Sequence, residues 1–230
     1  MMKANRSSLG FSLVELLVVI SIILVVASII IVGGSGGTGA ALSSSQRIAA
    51  GIIQGARGQA VLKGTAARMI IHNDPSELDK YRRYFGIIYD DSSDPNVNEW
   101  TAATQGTYLP KGIYFDAVTS QNETSNASIW STSNRMSINF PRISPQNGSS
   151  GPEYLYYEFN SSGTSSNANA WVVLRAGTMV PSSDGSSVSE IRVDDSEANL
   201  KTAIIIRRAG TTTLVNEPTA IDESDAARIE

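Results

Sequence analysis

Cysteine is absent from the 230-residue chain, and histidine occurs once, as His72. Without cysteine the chain has no disulfide framework, no thiolate metal site and no cysteine nucleophile. One histidine alone does not provide the ligand set of a common zinc site, so we expect His72 to have a structural or surface role. Exported domains also fold without disulfides, so the absence of cysteine does not assign a compartment.

Charge is nearly missing from residues 11–32, where Glu15 is the only charged side chain. A helix over this range would rise about 33 Å, slightly more than the roughly 30 Å hydrocarbon core of a bilayer. The run therefore predicts a transmembrane helix. The sequence after about Ser43 is rich in Ser, Thr, Asn and Gly, as in soluble domains.

The ten residues before this run, Met1–Gly10, are basic and contain no acid. Lys3 and Arg6 favour a cytoplasmic amino terminus, so the carboxyl end of the anchor should point outward. A conventional secretory signal has a shorter apolar core, and its cleavage site here would be near Thr38-Gly39-Ala40. Loss of the leader would change the formal net charge from −4 to −6. An acidic mature domain argues against nucleic acid as the main partner.

The leader meets the apolar run at Gly10-Phe11-Ser12-Leu13-Val14-Glu15, and this stretch resembles the type IV prepilin signature. The resemblance implies that a membrane aspartyl protease, the prepilin peptidase, cuts after Gly10 and methylates the amine of Phe11. An ionised carboxylate near hydrocarbon is costly, so Glu15 needs a partner. The family supplies one in the Phe11 amine of the same or the next subunit. Their pairing would set the register of neighbouring helices.

A glycine cluster at 33–39 follows the predicted anchor. It predicts a flexible neck or a kink, because each glycine costs a helix about 1 kcal/mol relative to alanine. Residues 33–37 formally satisfy G-x-S-x-G, and a phosphate-binding loop is also conceivable. The first motif needs a preceding strand, where this chain has an apolar helix, and no Gly-Lys-Ser/Thr closes the cluster. We therefore expect neither catalysis nor a cofactor.

The remaining sequence predicts an amphipathic helix over 40–65 and a β-rich domain over 66–230. Apolar and small residues recur at helical spacing in the first range, at Leu42, Ile48, Ile52, Ile53, Ala56, Ala60 and Val61. The second range contains nine short runs with strand character, at Arg68–His72, Tyr84–Tyr89, Gly112–Val118, Met136–Phe140, Tyr154–Asn160, Trp171–Arg175, Val188–Val193, Ala203–Arg207 and Thr211–Val215. The expected fold class is α+β, with both helices amino-terminal and the amphipathic helix packed on an antiparallel β-sheet or sandwich, as in pilins.

Softer patterns in the outer domain resemble the minor pseudopilins of type II secretion, of the GspH/FimT-like kind. They include Leu109–Ile113, Phe159 and Gly163 before Trp171–Leu174, and the hairpin around Ala209-Gly210. The resemblance implies a structural subunit in the bacterial inner membrane, with its carboxyl-terminal domain in the periplasm. Its partners would be prepilin peptidase, other pseudopilins or pilins of a filament, and membrane lipid. The alternatives are a minor pilin of a type IV pilus and a membrane-tethered binding domain that does not polymerise.

Two polar stretches raise other possibilities. Asp90, Asp91 and Asp94 form an oxygen-rich loop of the kind that binds calcium, although the spacing is not that of an EF-hand. A solvated acidic loop is the simpler interpretation, and we expect no metal. Lys80–Tyr84 interleaves basic and aromatic residues, but acidic neighbours such as Asp79 and the net charge argue against nucleic-acid binding.

Overall fold

The computed structural model of the chain describes residues 13–22, 36–94, 97–121, 128–130, 132–165, 170–195 and 198–216. The chain divides into two compact units, Met1–Thr38 and Gly39–Glu230. In the first unit, residues 13–22 form helix α1. The described strands all lie in the second unit, together with most of helix α2, which extends over Gly36–Lys63.

Helix α2 buries a narrow seam of mostly small residues. The buried positions are Leu42, Ser45, Gln46, Ala49, Ile53, Ala56 and Ala60. Their spacing of three and four places them on one face of the helix, as the sequence pattern predicts. Ile48 and Val61, which the same pattern included, are exposed. The helix ends where Gly64 adopts a φ of +68° and donates its N–H to the Ala60 carbonyl at 2.9 Å.

Helix α2 begins inside the glycine cluster, four residues earlier than predicted. Gly36, Gly37 and Gly39 are helical, so the expectation of a neck over 33–39 is corrected for residues 36–39. Residues 33–35 lie outside the described part. A Cβ built on Gly37 or Gly39 meets nothing within 4 Å, so no close packing requires these glycines. Helix propagation is favourable once a nucleus exists, and the packed part of α2 provides one.

Twelve strands and one 3₁₀ turn follow α2 in the described residues. The strands are β1 Ala67–His72, β2 Tyr84–Asp90, β3 Trp100–Ala102, β4 Thr107–Tyr108, β5 Ile113–Asp116, β6 Arg135–Ser137, β7 Glu153–Phe159, β8 Ala170–Ala176, β9 Thr178–Pro181, β10 Val188–Arg192, β11 Lys201–Ile206 and β12 Thr212–Val215, and the 3₁₀ turn is Thr132–Asn134. The first sheet has the order β3-β2-β1-β7-β6, with β4 also paired to β2. The second sheet has the order β12-β11-β8-β5, and β9 and β10 form a separate hairpin. These strands pair antiparallel throughout.

The main core lies where α2 meets one face of each large sheet. Its members include Ile53 and Ala56 of α2, Met69, Phe85 and Tyr157 of the first sheet, and Phe115, Val172 and Ile204 of the second. Alternate residues of the first sheet point the other way and form a second cluster with the segment around Phe140. Ile70 and Tyr154 belong to this second cluster. Both faces of the first sheet are therefore apolar, which explains the nearly continuous burial of β1.

The α+β class and all nine predicted strands are confirmed, with boundaries shifted by a few residues at most. Three strands were not predicted, namely β3, β4 and β9. They are two to four residues long. Runs of this length contain too few alternations to stand out from a loop, and their pairing is set by a neighbouring strand that is distant in sequence.

Candidate functional site

Helix α1 presents apolar side chains to the surroundings on every side. All ten residues of 13–22 are exposed, and eight of them are large and apolar, with Leu13 exposed to 78%. Monomeric soluble proteins rarely leave a continuous apolar surface of this kind open to water. Lipid or other protein helices are the environments in which such a surface is stable.

Glu15 is the only charged residue of α1. Ser21, one of two polar residues in this range, bonds its hydroxyl back to the Leu17 carbonyl at 2.8 Å, so it does not disturb the apolar surface. The predicted cleavage residues Gly10 and Phe11 lie outside the described residues. Cleavage after Gly10, methylation of Phe11 and the pairing of Phe11 with Glu15 therefore stay predictions.

Among the described residues, no helix is both long and apolar enough to cross a membrane. The predicted anchor over 11–32 is described only at 13–22, and its residues 11–12 and 23–32 lie outside the described part.

The comparison that bears on this segment is with known sequence families. Residues 5–31 match the prokaryotic N-terminal methylation motif. The match contains Gly10, Phe11, Glu15 and almost all of the apolar run. It supports a type IV pilin-like chain that prepilin peptidase processes and that takes part in pilin-type assembly, and it does not distinguish pseudopilins from pilins. No curated protein and no solved structure matched the chain.

The second unit, Gly39–Glu230, here called the outer unit, buries the only histidine of the chain. His72, at the end of β1, is 0% exposed, and its ring meets the edge of Tyr154 at a centroid distance of 5.0 Å. Its Nε2 lies 3.4 Å from Oε1 of Glu77. Burial lowers the pKa of His72 below its usual value, and the Glu77 carboxylate opposes this effect. The histidine is therefore part of the packed interior, where sequence reasoning left a surface position open.

The acidic loop after β2 uses its carboxylates to organise the backbone. Oδ1 of Asp90 accepts the N–H groups of Ser92 and Glu99, at 3.1 and 3.0 Å. Among the described residues, no group of three or more acidic or histidine side chains is placed to hold a metal ion, so Asp90, Asp91 and Asp94 do not converge on one.

The basic residues of Lys80–Tyr84 contact other parts of the outer unit. Lys80 Nζ lies 2.5 Å from Oε2 of Glu77. Arg83 is buried and donates from Nη2 to the Leu109 carbonyl at 2.8 Å. Arg82 has a positive φ of 50°, which is uncommon for a residue with a side chain. Its N–H donates to the His72 carbonyl and its own carbonyl accepts the N–H of Phe115, so both contacts hold this conformation.

Sequence reasoning missed a cleft of about 390 Å³ beside this segment. Its lining includes Tyr81 and Arg82, together with Asp116 and Arg175, which form an ion pair at 2.9 Å. The lining comes from four separated parts of the chain, so no local pattern indicates the cleft. The positive φ of Arg82 likewise has no signal in the sequence, because a tertiary contact imposes it.

Proposed function

We propose that the chain is a minor pseudopilin, a structural subunit of a type II secretion pseudopilus that prepilin peptidase processes after Gly10. In this proposal residues 11–32 anchor the subunit in the bacterial inner membrane and the β-rich domain lies in the periplasm. The observation that carries it is the methylation motif at residues 5–31, which coincides with an exposed apolar helix.

The proposed mechanism is assembly without catalysis. Cleavage creates a new amine on Phe11. Glu15 is then the fifth residue of the mature chain, and the three residues between them have apolar or hydroxyl side chains. Two opposite charges that are each costly in hydrocarbon stabilise one another when they meet. Pairing of the Phe11 amine with Glu15 of an adjacent subunit would fix the axial register. The exposed apolar surface of α1 would bury itself against the helices of other subunits.

The outer unit suits a structural role. Its helix α2 is tied to the second sheet and to the β7–β8 loop by polar contacts: Gln46 donates to the carbonyls of Ala203 in β11 and Val215 in β12, and Arg57 donates to that of Gly163. The softer resemblance to minor pseudopilins around Leu109–Ile113 supports the secretion assignment over a surface pilus.

Crosslinking tests incorporation into a filament. The chain has no cysteine, so Val19→Cys in α1 introduces a single reactive thiol. We expect crosslinks to neighbouring subunits in cells that contain the complete assembly machinery. Adding Glu15→Ala should reduce these crosslinks at least several-fold, whereas Ser21→Ala, a neutral change on the same helix, should leave them intact. Equal crosslinking in the Glu15→Ala and Ser21→Ala backgrounds would contradict the register mechanism, and no crosslinks at all would indicate a tethered domain that does not polymerise.

A deletion separates the two filament classes. We expect that a strain without this chain loses export of its type II secretion substrates while its surface pili remain, and that the intact gene restores export. Normal export together with loss of surface pili would instead identify a minor pilin.

A further inference from the structure

Residues 73–83, here called the strap, connect β1 to β2 and cover the end of β1. The strap is held at both ends: Asn73 N–H donates to the Glu153 carbonyl at 2.8 Å, and Arg82 N–H donates to the His72 carbonyl at 2.8 Å. Between them the chain turns through short-range bonds such as those from Lys80 and Tyr81 N–H to the Glu77 carbonyl. The strap is therefore a run of turns closed over one residue, His72.

The imidazole of His72 is buried without a hydrogen bond of normal geometry. Neither Nδ1 nor Nε2 makes such a bond to a described residue, although the side chain is 0% exposed. The Nε2 to Glu77 Oε1 distance of 3.4 Å is longer than a normal hydrogen bond. Nearly all buried polar groups in folded proteins are paired, so this ring occupies an unusual position.

Protonation would make this position less favourable, because burial disfavours the charged ring. The neutral ring carries one N–H, whereas the imidazolium carries two N–H donors and a positive charge. Glu77 faces Nε2, but its carboxylate is already bound by Lys80, whose ammonium repels an imidazolium. Asp74, also on the strap, adds only a small favourable contribution, and Tyr154 on β7 presents an uncharged ring. Nothing described accepts a hydrogen bond from Nδ1.

We propose that His72 is an acid-sensitive latch: protonation of its ring destabilises the closed strap, which then lifts from the end of β1. The strap also supplies Tyr81 and Arg82 to the cleft that contains Arg175. Opening of the strap would therefore remove one wall of that cleft. The proposal does not depend on the assignment to a secretion filament.

The direction of the effect follows from proton linkage. In the open strap, His72 regains an ordinary pKa of about 6.5, whereas burial holds the pKa below that value in the closed strap. The open form therefore binds more protons below about pH 6.5. The closed strap is fully stable above that pH, and its opening equilibrium rises by up to about tenfold per pH unit below it, until the lowered pKa is reached.

Hydrogen exchange of the full chain in detergent micelles tests the latch, with rates corrected for the intrinsic pH dependence of exchange. Between pH 7.5 and pH 5, amides of residues 73–83 should lose protection at least several-fold, whereas those of β8 should not change. In His72→Gln, which keeps a polar side chain but does not titrate in this range, strap protection should be independent of pH. In Glu77→Gln the onset should stay near pH 6.5 and the loss of protection at pH 5 should be at least as large, because the Glu77 carboxylate raises the pKa of His72 in the closed strap.

A second measurement needs no variant. His72 is the only histidine, so selective labelling gives one ring signal by NMR. We expect it to titrate with an apparent pKa below 6.5, at the pH where the loss of strap protection levels off. The latch would be overturned by titration at or above 6.5, by a strap whose protection does not change with pH, or by the same pH dependence in His72→Gln.

Discussion

Gly210 lies against Gly163 so closely that no side chain fits between them: a Cβ built on Gly210 would stand 2.1 Å from the Gly163 carbonyl oxygen. The same oxygen accepts a hydrogen bond from Arg57 Nε of α2 at 3.0 Å. Gln54, one turn earlier on α2, donates to the Gly210 carbonyl at 3.2 Å. Two loops, the β7–β8 connection between the sheets and the β11–β12 hairpin of the second sheet, therefore meet on the helix. This contact gives a physical reason for two glycines that the sequence singles out only by resemblance.

Gly210→Ala should destabilise the outer unit strongly. Gly210 has a φ of +80°, so alanine costs about 1 kcal/mol in backbone strain, and the clash with Gly163 adds to it. Gly185→Ala is the matched control, because Gly185 has a φ of +70° and open space around its Cβ. In urea unfolding, the free energy of unfolding should fall by about 1 kcal/mol for Gly185→Ala and by about 3 kcal/mol or more for Gly210→Ala. Equal losses would mean that the two loops do not need this close contact.

Gly58→Ala should stabilise α2. Gly58 is helical and exposed, and a Cβ there meets nothing within 4 Å, so the change gains roughly 1 kcal/mol of helix propensity. At Gly55 a Cβ would stand 2.9 Å from Cδ1 of Ile87, so Gly55→Ala should gain less or lose stability. Thermal unfolding monitored by circular dichroism distinguishes the two. A larger gain at Gly55 than at Gly58 would contradict the described packing of α2 on the first sheet.

Arg68 should tolerate replacement by lysine poorly. Its guanidinium lies 3.8 Å from the ring centroids of both Trp100 and Tyr156, and Nε bonds to Glu158 at 2.6 Å. Lysine keeps the charge but loses planar stacking and the directed bond. We therefore expect the free energy of unfolding to fall by about 1–2 kcal/mol.

Arg192→Lys is the control for Arg68→Lys. Arg192 pairs with Glu190 at 3.0 Å, but both side chains are more than half exposed. Exposed ion pairs contribute little to stability, so the free energy of unfolding of Arg192→Lys should change by less than about 0.5 kcal/mol. If the two variants lost the same amount, the aromatic stacking of Arg68 would contribute nothing to stability.

Tyr157 should make stability fall at alkaline pH. Burial raises its pKa to about 12, although its hydrogen bond with Ser165 works in the opposite direction. The unfolded chain loses this proton near pH 10 and the folded chain keeps it, so stability falls as pH rises from about 10 to 12. The free energy of unfolding should drop by up to about 2.7 kcal/mol more in the natural chain than in Tyr157→Phe. Parallel pH profiles for the two proteins would contradict the burial of this phenol.

The parts of the fold that repeat locally could be predicted from the sequence. The three- and four-residue spacing of small residues indicates α2, and the alternation at β7 indicates a strand. The start of α2 at Gly36 could not be predicted, because propensity alone penalises glycine and says nothing about the packed helix that follows. The N-terminal motif is local, so the sequence alone predicts the roles of Gly10, Phe11 and Glu15. The burial of His72 and the positive φ of Arg82 depend on distant partners, and no pattern near them in the chain indicates either.

Processing at Gly10 is tested most directly by the mass of the mature amino-terminal peptide, from protein purified out of cells that process other prepilins. We expect a chain that begins at Phe11 and carries a methyl group on its amine. Gly10→Val should retain the leader, whereas Leu9→Val, the same residue placed one position earlier, should not. A natural chain that keeps Met1, or one that begins near Ala40, would contradict the processing at Gly10 on which the assembly mechanism depends.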